Sequence, residues 1–181
     1  MTENRIWNMA AVAGLALGGI STAYMFLTQL VSTSGMPAML STIINGLLWC
    51  VKFGGCILTM MYFMKKAVKE NPETTNSATF RFGVLASLLS ALIYAAASFA
   101  NMAYISADLM AEQFNSIMEV YSKFMDSNSM SMMDKMIGNM PQISFFSNLI
   151  YCFLFGTVLS AILSRNIPDR DPFADYKPKE D

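Results

Sequence analysis

The sequence predicts an all-α polytopic membrane protein: a bundle of four transmembrane helices with both termini in the cytoplasm and an extracytoplasmic amphipathic segment between helices three and four. Three observations lead to this class. Four apolar stretches are each long enough to cross a bilayer, only 14% of the 181 residues are charged, and lysine and arginine are concentrated in alternate connections. Soluble domains usually carry about 25% charged residues, so this chain has roughly half of that content.

The predicted helices span about residues 9–31, 38–64, 80–105 and 143–163. A hydrocarbon core ~30 Å thick needs about 20 residues at ~1.5 Å rise per residue. Lipid offers no hydrogen-bond partners to the backbone, so runs of this length without strict alternation form helices rather than barrel strands. We therefore expect one domain over residues 1–165 that lies in the lipid bilayer. The prolines and charges of residues 166–181 predict a disordered cytoplasmic tail.

Basic residues predict the orientation of the helices. Nine of the twelve lysines and arginines lie before the first stretch, in the 65–81 connection or in the tail. Only Lys123 and Lys135 lie in the long segment after helix three, and Lys52 lies inside the second stretch. The positive-inside rule places the nine in the cytoplasm. The first apolar run is longer than the ~7–15 residues of a signal peptide, so we expect an uncleaved helix.

Residues 106–142 form a segment with two amphipathic stripes. No glycine or proline lies between Val84 and Gly138, so helix is expected to continue beyond the third stretch. Residues 126–129 have turn and cap chemistry and separate the two stripes, and Pro141 is expected to end the second. The candidate contacts with a partner or ligand on these stripes are Phe114, Met118, Tyr121, Met132 and Met136.

Two geometries fit this segment. The stripes pack on each other as a hairpin above the membrane, or they lie in the outer interface with their apolar faces in lipid. The segment holds five acidic residues against two lysines, whereas interfacial helices usually carry basic residues on the polar face. This acidity favours the hairpin or docking onto a partner.

Methionine is abundant in the same segment: nine of the 17 lie between Met102 and Met140. Clusters of thioether ligands select Cu(I), which makes copper binding one interpretation. Methionine also forms adaptable apolar contact surfaces, and no histidine is present to complete a copper site. We favour the contact surface and expect no cofactor.

Lys52 is the one charged residue inside the apolar stretches. A charge at this depth costs ~2.5–3.5 kcal/mol on insertion scales and is tolerated mainly where it faces a cavity or a partner. No Asp or Glu lies in the four stretches, so the candidate partners within the chain are neutral and include Asn101 and Asn148. An acidic group from a partner subunit, a lipid phosphate or a substrate is one interpretation. A neutral lysine, or one that reaches water through a local defect, is the other.

Small residues predict close helix packing. Gly14 and Gly18 form a Gly-x-x-x-Gly motif, and Gly156, Ser160 and Ser164 repeat the spacing in the fourth helix. Such residues let helix backbones approach within membranes, and we expect packing inside the bundle rather than a dedicated dimer motif. A Gly54–Gly55 pair near Lys52 hints at a helix break of the kind that transporters use.

Several function classes are disfavoured. A net charge of −1 gives no electrostatic footprint for nucleic acid. There is no histidine, and the three cysteines, Cys50, Cys56 and Cys152, lie in apolar runs without a Cys-x-x-Cys pair. Thiol oxidoreductase chemistry is therefore rejected. Asp108 and Glu112 share a helix face, but solvated acids of this kind are commoner than catalytic pairs. We expect a protein that is not an enzyme.

The layout of four helices with a Met- and Glu-rich segment between the third and fourth, followed by Asp171-Pro172-Phe173, resembles a bacterial inner-membrane family of uncharacterised proteins. The resemblance covers nearly the whole chain. It implies a location in the bacterial inner membrane and an association with lipid-linked glycosyltransferases. It carries no activity or catalytic residue.

Two functions remain as expectations. The first is a non-enzymatic accessory or assembly subunit of an envelope complex, bound to another membrane protein or to itself. The second is a small oligomeric transporter or channel for an anionic substrate that uses Lys52. Transporter folds usually show internal repeats and broken helices, of which the chain offers only the Gly54–Gly55 hint.

Overall fold

The computed structural model describes residues 3–70, 75–121 and 126–167. Helices account for 94% of these residues, and no strand occurs among them, so the predicted all-α class is confirmed. The elements in chain order are α1 (Glu3–Thr33), α2 (Ala38–Glu70), α3 (Asn76–Ala100), a π-helix (Asn101–Ile105), α4 (Ala107–Tyr121), α5 (Ser127–Gly138) and α6 (Met140–Asn166).

Four helical spans are long and apolar enough to cross a membrane: α1, α2, α3 with its π-helix, and α6. Each has 27 to 33 residues, and large apolar side chains are exposed along all of them. Leu47 and Val51 of α2 and Ile150 and Leu154 of α6 are examples, each more than half exposed. Apolar surface of this extent is stable only against lipid or another apolar surface. The fold is therefore that of a multi-pass membrane protein.

The helix ends follow local sequence signals. Gly35 has φ +68°, a conformation that glycine adopts without steric cost, and it turns the chain between α1 and α2. Thr75 caps α3 by accepting a hydrogen bond from the Ala78 backbone N–H at 3.3 Å. Asp126 caps α5 in the same way. The cap chemistry predicted for residues 126–129 is confirmed.

The four spans form an open arrangement rather than a closed bundle. α3 is central and packs along α1 on one side and along α6 on the other. α2 packs chiefly on α1 and only lightly on α3 and α6. A gap consequently remains between α2 and α6.

The two ends of this arrangement differ in composition. We call the end that contains the start of α1, the end of α2, the start of α3 and the end of α6 the terminal end. The opposite end, with the Gly35 turn and the π-helix, is the turn end. The continuous apolar core lies at the terminal end. Its fully or almost fully buried members include Ala10, Ala13, Met60, Met64, Phe82 and Ala86.

Glycines set the closest approaches in the core. A Cβ built on Gly14 would lie 2.7 Å from the Cβ of Leu89, and one on Gly18 would lie 2.9 Å from the Cβ of Ile93. The Gly-x-x-x-Gly motif of α1 therefore packs against α3 within the chain. This confirms the prediction of intramolecular packing.

The contact between α3 and α6 is built from two reciprocal pairs. Gly83 of α3 faces Ser160 of α6, and Gly156 of α6 faces Ser87 of α3. The Ser87 hydroxyl donates to the Gly83 carbonyl and the Ser160 hydroxyl donates to the Gly156 carbonyl, both at 2.7 Å. Each serine thus satisfies its own donor inside its helix while it fills the space above the opposite glycine.

Several predicted details need correction. α2 runs without a break through Gly54 and Gly55, because helical backbone hydrogen bonding continues there. Pro141 does not end the second stripe: it lies in the first turn of α6, where a missing N–H costs nothing. Met140 accordingly belongs to α6. The four spans extend beyond the predicted limits because polar residues continue each helix past its apolar run. The disordered tail was predicted over residues 166–181, but Asn166 belongs to α6 and Ile167 is buried in the apolar core. The remaining residues of that tail, 168–181, lie outside the described part of the chain.

Candidate functional site

Lys52 projects from the middle of α2 onto two tyrosine rings. Its Nζ lies 4.7 Å from the ring centroid of Tyr24 on α1 and 5.3 Å from that of Tyr94 on α3. An ammonium over an aromatic face is stabilised by about 0.5–2 kcal/mol, with the larger value where water is excluded. Two such contacts offset much of the cost of a charge inside an apolar span. The two rings hold the lysine, and no carboxylate of the described residues forms an ion pair with it.

Lys52 also lines a small cleft between α2 and α6, which we call the Lys52 cleft. Its volume is about 100 Å³, several times the ~10–15 Å³ that one water molecule needs. The rings of Phe53 and Phe155 meet across the gap at 5.0 Å. Trp49 and Tyr151 line the same cleft and are 52% and 69% exposed. The cleft is therefore open on its side, between α2 and α6, to the surroundings of the protein.

Two of the three cysteines belong to this cleft. Cys56 and Cys152 line it from α2 and α6, whereas Cys50 is exposed. All three are free thiols. Chemical labelling of Cys56 and Cys152 can therefore report on access to the cleft beside Lys52.

A second polar group lies at the turn end. The Asn148 side-chain amide of α6 donates to the hydroxyls of Ser98 at 2.9 Å and Ser144 at 3.1 Å. On the other side of α3, Gln29 of α1 donates through Nε2 to the Ser106 hydroxyl. Ser106 in turn donates to Asn101 Oδ1 at 3.1 Å. We call these six residues the polar cluster. It joins α1, α3 and α6 by side-chain hydrogen bonds.

The π-helix is what brings Asn101 and Ser106 together. In an α-helix, residues five apart point about 140° away from each other, because each residue turns the chain by about 100°. Here the Ser106 backbone N–H bonds to the Asn101 carbonyl five residues earlier, at 2.7 Å. This wider turn places both side chains on the inner face. Such π-bulges occur frequently at functional sites.

The polar cluster surrounds a larger cleft, here called the vestibule, of about 490 Å³. Ser32 and Thr33 at the end of α1 line its outer part, and both are exposed. Tyr94 lines its inner part and also forms one of the two ring contacts of Lys52. Tyr94 is thus the shared wall between the vestibule and the lysine.

One acceptor of the polar cluster remains without a partner. The Gln29 Oε1 atom is buried and has no hydrogen bond to any described residue. Buried polar atoms are almost always paired with protein, water or a ligand. The vestibule beside Gln29 therefore has room and hydrogen-bonding capacity for a polar guest.

The predicted contact residues of the outer segment form a separate region. Phe114 lines a groove with Met110 on the α4 side and Ile137 and Met140 on the other side. Met118 is half-buried, and Met132 and Met136 are 73% and 54% exposed. The Tyr121 side chain lies outside the described part of the structure.

The structure thus divides the predicted site residues into three places. Lys52 lies in its own cleft, Asn101 and Asn148 lie in the polar cluster, and the outer-segment residues lie beyond them. The described hydrogen bonds of the two asparagines go to serines and not to Lys52. Tyr24 was not foreseen. The short Gly35 turn was the available signal, because it makes α1 and α2 antiparallel neighbours and brings their middles together.

Comparison with known proteins assigns the chain to a family. Residues 12–165 match the family described as Protein of unknown function (DUF4199). The chain belongs to the DUF4199 family. The match covers all four spans and the outer segment, so the predicted resemblance to an uncharacterised four-helix family is confirmed. No curated protein and no solved structure matches the chain.

Proposed function

We propose that this DUF4199 protein is a non-enzymatic accessory or assembly subunit of an envelope complex in the bacterial inner membrane. The observation that carries the proposal is the exposed methionine face of α5, where Met132 and Met136 project from the bundle. α5 makes few contacts with the spans, chiefly with α6. Methionine-rich surfaces adapt to a partner's shape, which suits a docking element.

The orientation follows from charge. Lys65, Lys66, Lys69, Arg81 and Arg165 all lie at the terminal end, and the positive-inside rule assigns that end to the cytoplasm. α4 and α5 then lie outside the cytoplasm. Their acidic residues favour a partner whose docking surface is apolar and basic, since opposite charges guide association. The family resemblance makes a complex with a lipid-linked glycosyltransferase the first to test.

The test is co-purification from native membranes after gentle extraction of the tagged chain. We expect a stoichiometric partner protein, and we expect the double variant Met132→Ser/Met136→Ser to lose most of it. Met39→Ser is the matched control, because Met39 is 79% exposed but belongs to α2 and not to α5. Mass spectrometry of the eluate gives the partner's identity.

A partner retained equally by both variants would contradict docking through α5. If no protein co-elutes and the chain runs as a homo-oligomer, the subunit role fails. The alternative, transport of an anionic substrate through Lys52, then becomes the leading function.

A further inference from the structure

The ammonium of Lys52 has donors that no described residue accepts. Two tyrosine rings face Nζ, but within residues 3–70, 75–121 and 126–167 no oxygen accepts a hydrogen bond from it. An ammonium has three N–H donors, and ring faces replace only part of its hydration. The site is therefore complementary to an oxygen-bearing anion.

A neutral polar route leads towards this ammonium from the turn end. The vestibule is lined by hydroxyl and amide groups from Ser32 inwards to Asn148, and Tyr94 separates it from Lys52. Among the described residues, no acidic side chain lines either cleft. Asp108 and Glu112 of α4 are exposed and do not belong to the vestibule wall. An anion in the vestibule therefore meets no acidic side chain of the described wall.

The opposite direction is closed. On the terminal side of the Lys52 cleft, the lining changes to Leu17, Met60 and Leu159, and Met60 is 1% exposed. Beyond it lie Met64 and Ala67, which are also buried in the apolar core. Two hydroxyls on this side, those of Ser87 and Ser160, already donate to backbone carbonyls of their own helices.

We propose that Lys52 is the end point of a one-sided anion site. The ligand is a small, singly charged oxyanion of the carboxylate type that enters through the vestibule, passes Tyr94 when its ring moves aside, and binds the lysine ammonium in the Lys52 cleft. The cleft volume of about 100 Å³ fits a group of a few heavy atoms. This binding activity goes beyond the subunit role and does not depend on it, because the site uses none of the α5 residues.

The native cysteines allow a direct test on the purified full-length chain. In a Cys50→Ser background, the remaining thiols, Cys56 and Cys152, both line the Lys52 cleft. The protein is placed in nanodiscs of phosphatidylcholine and labelled with either of two methanethiosulfonate reagents of similar size, one bearing a sulfonate and one a trimethylammonium group. We expect the anionic reagent to react faster by about tenfold, the size of effect that one nearby charge produces at intermediate dielectric constant.

Two variants separate charge from folding. Lys52→Gln should abolish the preference for the anionic reagent, while Lys52→Arg should keep it. Sodium acetate, compared with equal sodium chloride, should slow labelling of the wild-type chain several-fold and leave the Lys52→Gln chain unaffected. If Lys52→Gln does not fold, the wild-type reagent ratio and the acetate effect decide the matter alone.

Equal rates for the two reagents, or an unchanged ratio in Lys52→Gln, would overturn the proposal. So would protection by nanodiscs containing phosphatidylglycerol without any effect of acetate, since the anion would then be a lipid headgroup arriving through the sideways opening. Labelling uses the isolated chain and co-purification uses native membranes, so failure of the anion site and failure of the subunit role give different results.

Discussion

The terminal end and the turn end of the same four helices are held together in different ways. At the terminal end, helices meet through glycines and small side chains, and the core residues Ala10, Met64 and Ala86 are completely buried. At the turn end, hydrogen bonds among Gln29, Ser98, Asn148 and neighbouring residues join the helices around an open cleft.

The two ends therefore illustrate two ways of joining helices in an apolar medium: close packing at the terminal end and hydrogen bonding at the turn end. Between lipid-exposed helices there is no net hydrophobic drive, so association depends on van der Waals packing and interhelical hydrogen bonds. Packing excludes other molecules, whereas a hydrogen-bonded cluster leaves polar space. Close packing thus leaves the terminal end without an open cleft, whereas the hydrogen-bonded turn end keeps the vestibule accessible.

The largest expected effect is at one of the tightest approaches of the terminal end. In Gly83→Val, the added side chain would begin 2.7 Å from the Ser160 Cβ, so α3 and α6 must separate. We expect the free energy of unfolding to fall by about 2–3 kcal/mol, as in other overpacked cores. Denaturant titration of the detergent-solubilised chain measures it.

Gly46→Val is the matched control for this change. Gly46 is also a glycine inside a spanning helix, but nothing lies within 4 Å of the position its Cβ would take. A loss of stability in Gly46→Val equal to that in Gly83→Val would show that helix propensity, and not close packing, dominates at the terminal end.

A smaller effect is expected in the polar cluster. Asn148→Ala removes the donor that serves both Ser98 and Ser144. Side-chain hydrogen bonds between membrane helices contribute about 0.6 kcal/mol on average and rarely exceed about 1.7, so we expect a loss of about 1 kcal/mol. The same titration measures it, with exposed Gln142→Ala as control. A loss as large as that of Gly83→Val would remove the contrast between the two ends.

The smallest expected effect lies outside both ends, at the start of α5. Hydrogen bonds from the hydroxyl and backbone N–H of Ser129 lower the pKa of the Asp126 carboxyl below its ordinary value of 3.8. The cap therefore stabilises α5 fully above that value, and its contribution is lost as the pH falls through the lowered pKa.

Amide hydrogen exchange of α5, followed from neutral to acidic pH, measures this dependence after correction for intrinsic exchange. Protection in the wild-type chain should decrease in acid. Asp126→Asn should remove that decrease, because asparagine caps a helix without titrating. Identical pH profiles for the two chains would show that the carboxylate does not stabilise the helix.

A feature of the structure could be predicted from the sequence where it depends only on residues that are close together in the chain. The spans and the cap at residues 126–129 follow from composition and from neighbours within four residues, and both were predicted. The Lys52 contact with Tyr24 depends on how two helices are rotated about their axes, which a uniformly apolar span does not determine.

The polar cluster was hidden for a different reason. Asn101 and Asn148 were singled out as polar residues in apolar runs, but their serine partners look like ordinary small residues. Residues 101–105 contain no glycine or proline, so the sequence gives no signal that a π-helix forms there. The function of the wider turn is seen only in the hydrogen bonds that link Gln29, Ser106 and Asn101.

The π-helix also determines how the outer helices are attached. It fits five residues into the rotation that four residues make in an α-helix, so rewinding Asn101–Ile105 as α-helix would rotate everything after it by about 100°. Ser106 would leave Gln29, and α4 would start in another direction. The length of this single turn therefore sets both the shape of the vestibule and the direction in which α4 leaves the bundle.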